Sequence, residues 1–326
     1  MRQIVLEAPG RFIQREAPIP TAPAGHALVR MEKVGVCGSD FHAFAGRHPI
    51  YTYPRILGHE LSGVVVEVPA NEMGIEPGDR CAIEPYMSCG HCRACLMGRR
   101  NCCETIRLLG VHVDGGMQEY LSVSLHLLHK SSLLSLDQLA LVETLGIGAH
   151  AVRRSGLMPG EKALIVGAGP IGIAVAQFAS ALGASVHVVE LSEQRRVFVE
   201  SMDFTSSRAA EGRQADVVFD ATGNASAMAD SLANVATGGS LVYVGLTRDP
   251  VCLDDALFHR KEVTLFASRN SCGMFPSIIH LIEEGKIDTS RWITDRLKLS
   301  EIVSVFQSLP KRKTLIKAIV DVNHIK

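Results

Sequence analysis

The sequence predicts an α/β plus β protein: a β-rich domain joined to a doubly wound parallel sheet with helices on both faces. Three observations carry this. The first 130 residues run as short alternating segments broken by Gly and Pro, the middle of the chain alternates strand-like and helix-like segments, and one strand-to-helix joint there is rich in glycine. At 326 residues the chain has room for about two domains, each able to bury a core without disulfide or metal staples.

In the first domain, Ala27 to Val34, Gly63 to Val68, Asp79 to Ile83 and Met117 to Val123 read as strands. From Leu136 to Arg154 the apolar period lengthens to that of a helix, and Ser135 with Gln138 has the spacing of a capping box. This helix carries Glu143 and leads into the second domain. From Lys162 onward ALIV, IGIAVAQFASAL, SVHVVEL and SEQRRVFVESM alternate strand and helix, followed by DVVFDAT, a helix over Ala227 to Val235, and GSLVYVGL. After Ser268, a helical FPSIIHLIEEG and a strand-like LIKAIVDV form a tail that returns to the first domain. The expected division is 1–150 with 270–326 for the β-rich domain and 151–269 for the wound sheet.

With 33 basic and 34 acidic residues the chain has almost no net charge, which provides no field for nucleic acid or a membrane surface. The stretch Ala163 to Val189 is the most apolar, but glycines, Pro170 and Gln177 interrupt it, as suits a buried strand, turn and helix rather than a membrane span. The opening MRQIVLEAPGRF lacks the apolar run of a signal peptide, so a cytoplasmic location is expected. Thiols there stay reduced, and the clustering of the nine cysteines points to metal rather than disulfides.

Gly167, Gly169 and Gly172 form G-x-G-x-x-G between a strand and an apolar helix. The first glycine permits a tight turn, the second a close approach to a pyrophosphate, and the third close packing of the helix, whose positive end faces the phosphates. Glu190 ends the next strand 18 residues after the last glycine, where a carboxylate accepts from the ribose diol and repels a 2′-phosphate. NAD is therefore expected over NADP. Arg195 is placed either to stack on adenine or to bind such a phosphate.

Cys89, Cys92, Cys95 and Cys103 have the spacing C-x2-C-x2-C-x7-C, with Cys102 as a competing fourth ligand. Four thiolates on one loop surround a zinc tetrahedrally and leave no open position, so this site is structural. A redox CxxC or an iron–sulfur cluster are the rival readings. Cys37, in GVCGSDFH, is followed 22 residues later by His59 and Glu60 in GHE. A catalytic zinc takes three mixed ligands and keeps a position for substrate oxygen; Cys37, His59 and one carboxylate would satisfy it.

Together GVCGSDFH, YPRILGHE, the four-cysteine lobe, DGGMQEY, VETLGIGAHAV and VGAGPIG resemble, in order, the zinc-dependent medium-chain dehydrogenases, which join a GroES-like barrel to a Rossmann domain. The glutamate of VETLGIGAHAV resembles the polyol branch of that family. The resemblance implies Glu143 as third ligand of the catalytic zinc, Glu60 behind it or alternating with it, Asp40 orienting His59, Ser39 on the substrate hydroxyl and His42 relaying its proton to solvent. It also implies cofactor contacts from Pro170, Ile171 and Leu246, and substrate contacts from Phe44 and from Arg269 in LFASRNSCGMFP. A guanidinium there favours a polyhydroxy or carboxylate substrate. The implied activity is transfer of hydride between a secondary alcohol of a polyol or sugar acid and NAD, with two zinc ions per chain and a homodimeric or homotetrameric assembly. Threonine or a simple alcohol is the alternative substrate.

The chain departs from the family between Met202 and Asp216, where DFTSSRAAEGRQA is too short for both a strand and a full crossover helix. A stripped connection that thins one flank of the sheet is expected. That departure keeps open a non-catalytic NAD- and zinc-binding sensor, against which the complete zinc and relay residues argue. A zinc-free quinone or enone reductase would lack the cysteine lobe and GHE, and a thiol redox sensor would show a disulfide.

Overall fold

The computed structural model describes residues 1–323, which fall into two units: Met1–Glu143 with Phe275–Glu284 and the chain from Thr289 onward, and Thr144–Met274 with Gly285–Asp288. The division falls within a single long helix, Leu136–Ser155. Ser135 and Gln138 start that helix as a capping box: Ser135 N–H donates to Gln138 Oε1 at 3.0 Å, and Gln138 N–H donates to Ser135 Oγ at 3.3 Å.

In the first unit the seven-stranded sheet has the order Ile293–Lys298, Lys317–Asp321, His26–Val36, Glu60–Glu67, Arg80–Ile83 and Leu128–Lys130, with Tyr120–Ser124 also paired to His26–Val36. Only the first pair is parallel. Inward residues of these strands, among them Met31, Val34, Leu61 and Ile83, build a continuous apolar cluster with Ile4, Leu6 and Phe306. Two registers matter for function: Gly35 pairs with Glu60 on one side and Ile319 on the other, so the late strand Lys317–Asp321 lies one strand from the GHE segment. Phe275–Glu284 and the chain from Thr289 belong to this unit, while Gly285–Asp288 belong to the other.

The second unit holds six parallel strands in the order Thr205–Ser207, Ser185–Val189, Lys162–Val166, Ala215–Asp220, Val235–Tyr243 and Thr264–Ala267. The chain begins in the middle, winds out to one edge and then to the other, which is the doubly wound order with its switch point between Lys162–Val166 and Ala215–Asp220. Leu164, Val218, Leu232 and Leu241 form part of its core.

Two segments differ from expectation. The helix foreseen over Ala227 to Val235 runs Ala225–Asp230 and tightens into a 3₁₀ turn, Ser231–Asn234, while Val235 opens the next strand. Asn224 sets its start by accepting from Ala227 N–H at 3.0 Å, a cap that outweighs the apolar pattern further along. In the short connection, the strand survives as Thr205–Ser207 and the crossover helix alone is missing from 208–214. His187 bridges to the surviving strand, its ring nitrogens each 2.8 Å from a hydroxyl, Thr205 Oγ1 and Ser207 Oγ.

Candidate active site

The helix Gly38–Phe44 distributes its residues by the 3.6 period. Asp40 and Ala43 face inward and are buried, Ser39 and His42 share a second face, and Phe41 and Phe44 share a third. Phe44 stacks on Phe12 at 5.3 Å and packs on Phe306, so its ring is engaged in the apolar cluster rather than held as an open pocket wall. His42 is exposed and Ser39 is half-buried. Cys37 caps the helix, its N–H donating to Asp40 Oδ2 at 2.9 Å.

His59 and Glu60 come from the start of the next strand, and both are buried. Asp40 Oδ1 lies 3.8 Å from His59 Nδ1. Glu60 Oε1 and Oε2 accept from Lys317 Nζ at 2.6 and 2.8 Å, a pair closed off from solvent. Gly35 makes room for it, since a Cβ there would stand 2.0 Å from Glu60 Oε2. Glu143, buried on the long helix, accepts a short hydrogen bond from Tyr86 Oη. Lys317 and Tyr86 are missed by reading motifs. The only signal for the first is a lone lysine in an otherwise apolar strand.

Burial pushes the Asp40 and Glu143 carboxyls above the usual carboxylate range. Burial pulls His59 the other way, but Asp40, Cys37 and Glu143 outweigh it and hold the imidazole well above its ordinary value. Such a tilt toward protonated forms marks a buried anionic donor set that a cation would balance. Thiolate, imidazole and carboxylate atoms of Cys37, His59 and Glu60 all lie within 4.8 Å of one another, and Asp40 Oδ1 and His59 Nδ1 are buried without a hydrogen bond. This donor set fits zinc.

The second group that can hold a metal among the described residues is Cys89, Cys92, Cys95 and Cys103, again within 4.8 Å. The fold places Cys103 in it and leaves Cys102 exposed outside it. Backbone N–H groups point at the sulfurs: Cys89 N–H donates to Cys103 Sγ at 3.3 Å and Cys92 N–H to Cys89 Sγ at 3.4 Å. Such amides, those of His91 and Cys92 foremost, lower the Cys89 thiol to about 6, which favours the thiolate a metal needs. All nine cysteines are free of disulfides.

In the second unit Gly167 turns with φ +99°, and a Cβ on Gly172 would stand 1.8 Å from Gly167 O, so both glycines are needed for the turn and the helix to meet. Gly169 caps the helix Pro170–Ala181, with Pro170 in its first turn and Ile171 following. Glu190 Oε2 accepts from Ala168 N–H and Oε1 from Ser192 N–H, each at 2.8 Å, so this carboxylate ties the glycine loop to the next helix start. Arg195 is half-buried, while Arg196, not foreseen, donates to the carbonyls of Glu190 and Leu191 at 2.8 and 3.0 Å. Leu246 is exposed beside Gly223, and Arg269 lies in the loop beyond the last strand. These residues collect at the carboxyl ends of the parallel strands, where open wound sheets bind ligands.

Comparison with known proteins decides the family. Residues 23–132 match the alcohol dehydrogenase GroES-like domain, and residues 170–284 match the zinc-binding dehydrogenase model. The L-galactonate-5-dehydrogenase of Escherichia coli (strain K12) is 36% identical across 98% of each chain. The chain belongs to the zinc-binding alcohol dehydrogenases. Two solved structures extend the likeness over the whole dehydrogenase. A protein described as a zinc-binding dehydrogenase from Sinorhizobium meliloti 1021, bound to NADP, has a TM-score of 0.93 at 28% identity, covering 98% of this chain and 99% of that one. The RspB protein of Escherichia coli CFT073, complexed with NADH, has a TM-score of 0.91 at 27% identity, covering 99% of each. The β-rich unit of this dehydrogenase is thus GroES-like and the wound sheet Rossmann-type, as the motif order implied.

Proposed function

We propose that this dehydrogenase oxidises a secondary hydroxyl of a polyol or sugar acid with NAD, and that Cys37, His59 and Glu143 hold its catalytic zinc. The observation that carries the reading is the buried donor set around His59, beside a hydroxyl and an exposed imidazole on one short helix. Glu60 is the nearer carboxylate, but Lys317 occupies both of its oxygens and cancels its charge. Glu143 gives only one oxygen to a neutral phenol, which favours it as ligand.

When bound, zinc supplies Lewis acidity toward the substrate hydroxyl, and NAD supplies the acceptor for the hydride that leaves the carbinol carbon. Ser39, acceptor and donor at once, takes the hydroxyl proton as it releases its own. His42, exposed to water, passes that proton out. Asp40 keeps His59 in one ring orientation. Glu190 favours NAD: it sets a negative charge where a 2′-phosphate would lie, and Arg196 is spent on backbone carbonyls rather than presented to such a phosphate. Likeness to the L-galactonate enzyme supports a sugar-acid substrate, for which Arg269 is the candidate carboxylate contact.

Among the described residues the edge strand Thr264–Ala267 has no partner on one side, with Leu265 exposed, which suits pairing with a second copy in a homodimer or homotetramer. A cytoplasmic location belongs to the same reading, since clustered cysteines that hold metal need a compartment that keeps thiols reduced; no described helix is long and apolar enough to cross a membrane.

The test is metal content followed by NADH production on L-galactonate, sorbitol, threonine and simple alcohols. Two zinc ions per chain and turnover of a polyhydroxy substrate are expected; less than one zinc and no turnover sinks the enzyme. Glu143→Ala should keep the cysteine-lobe zinc and lose the other. Full occupancy in that variant makes Glu60 the ligand, and a preference for NADP overturns the role given to Glu190.

A further inference from the structure

Asp220 is an acid at the end of an apolar strand, completely buried and with no part in the proton or hydride steps. A carboxylate taken out of water is costly unless donors surround it, and here they are hydroxyls and an amide. Its Oδ1 accepts from Thr222 N–H at 2.9 Å and from Thr222 Oγ1 at 2.7 Å, and its Oδ2 accepts from Ser231 Oγ at 3.1 Å. Thr222 Oγ1 accepts in turn from Asn224 N–H at 3.1 Å, and Asn224 caps the helix that follows. One side chain thus fixes the turn 221–224. That turn is wedged between two others: a Cβ on Gly167 would stand 3.1 Å from Thr222 Cγ2, and a Cβ on Gly245 would stand 2.3 Å from Gly223 N. Gly167 is held independently, its N–H donating to Val189 O at 2.8 Å, so any displacement of 221–224 passes to 244–246.

Val166 pairs with Val189 on one side and with Asp220 on the other, and Asp220 pairs with Tyr243. Glu190 therefore marks one side of the switch point, and the turns 221–224 and 244–246 mark the other. A dinucleotide laid across this crevice with its adenosine ribose at Glu190 rests its far half on those two turns. Leu246, on the second of them, is the most exposed large apolar side chain among the described residues, at 87%. We propose, resting on the NAD reading, that Asp220 is a positioning residue for the nicotinamide half of the cofactor: its carboxylate fixes the turn that carries that half and leaves the adenosine half to Glu190. The turn is built before the cofactor arrives, so ordering it costs no binding energy. Without the carboxylate, Thr222 and Ser231 lose an acceptor and the turn slides against 244–246. The glycine turn stays in place, because Glu190 holds the Ala168 and Ser192 amides.

Calorimetric titration of the zinc-loaded full chain with NADH and with ADP-ribose, which lacks the nicotinamide, tests this. Asp220→Ala should weaken NADH about tenfold and leave ADP-ribose within about twofold of the wild type. Thr222→Val, which removes only the hydroxyl between Asp220 and Asn224, should show the same split, and Thr222→Ser, which keeps that hydroxyl, should bind NADH as the wild type does. If Asp220→Ala does not fold, the two Thr222 variants decide. Equal weakening of both ligands, NADH binding unchanged in Thr222→Val, or Thr222→Ser as weak as Thr222→Val overturns the proposal. A wild-type chain that binds neither ligand removes the NAD reading and the Asp220 role with it, whereas a chain that binds both without a split among the variants removes the Asp220 role alone.

Discussion

Lys317 and Glu60 bury opposite charges against each other with almost no exposure, and each depends on the other to stay there. Burial alone would lower the Lys317 pKa, but Glu60 and other acids beside it outweigh that and raise it, so the lysine stays charged. Lys317→Met strands the Glu60 carboxylate in the core and should destabilise the protein by about 3–5 kcal/mol in denaturant unfolding. Adding Glu60→Gln in that background should restore much of the loss; a double variant as weak as the single would show that packing, not charge, was removed. Cys37 and His59 are legible in the sequence because their motifs are local and their chemistry specific. Lys317 is not, because its partner lies 257 residues away and a single lysine in LIKAIVDV has no motif. The choice between Cys102 and Cys103 is likewise a matter of which adjacent sulfur the loop turns inward, a torsion that spacing does not encode.

At the scale of elements, the helix Leu136–Ser155 holds a pH-sensitive group in its last turns. His150 is buried and accepts from Arg153 Nη2 at 3.3 Å through Nδ1, and burial, with Arg153 and Arg154 adding to it, depresses its pKa to about 4. Between its unfolded pKa near 6.5 and its folded pKa of about 4, the unfolded chain takes up a proton that the folded one does not. Stability should therefore fall as pH drops through that window. His150→Gln, which keeps an acceptor for Arg153, should flatten the decline when Tm is followed from pH 7 to 5; an unchanged slope would place the acid sensitivity elsewhere. The start of this helix was legible from Ser135 and Gln138. The start of Ala225–Asp230 is not legible from the apolar period, because the Asn224 cap sets it two residues earlier. At 203–215 the shortness of the chain excludes holding both a strand and a full crossover helix but does not say which of them remains, because a strand of three residues needs too little sequence to be seen.

For the molecule as a whole, the order of motifs was enough to read the GroES-like and Rossmann-type pair, since each motif is tied to one joint of the fold. The two metal-holding groups should part company under chelation. Four thiolates met by backbone amides make a closed site, whereas a catalytic zinc at His59, as proposed above, would keep a position for substrate. A chelator such as EDTA should thus abolish turnover while one zinc stays bound and Tm changes little, as read by metal analysis and thermal melts; simultaneous loss of both ions would refute the distinction. The strand order has a further consequence for synthesis. Lys317–Asp321 sits between His26–Val36 and Ile293–Lys298, so a nascent chain carries Glu60, uncompensated, through most of translation. The wound sheet, complete by Ala267, can fold on the ribosome first, while the unit that begins the chain must wait for its end.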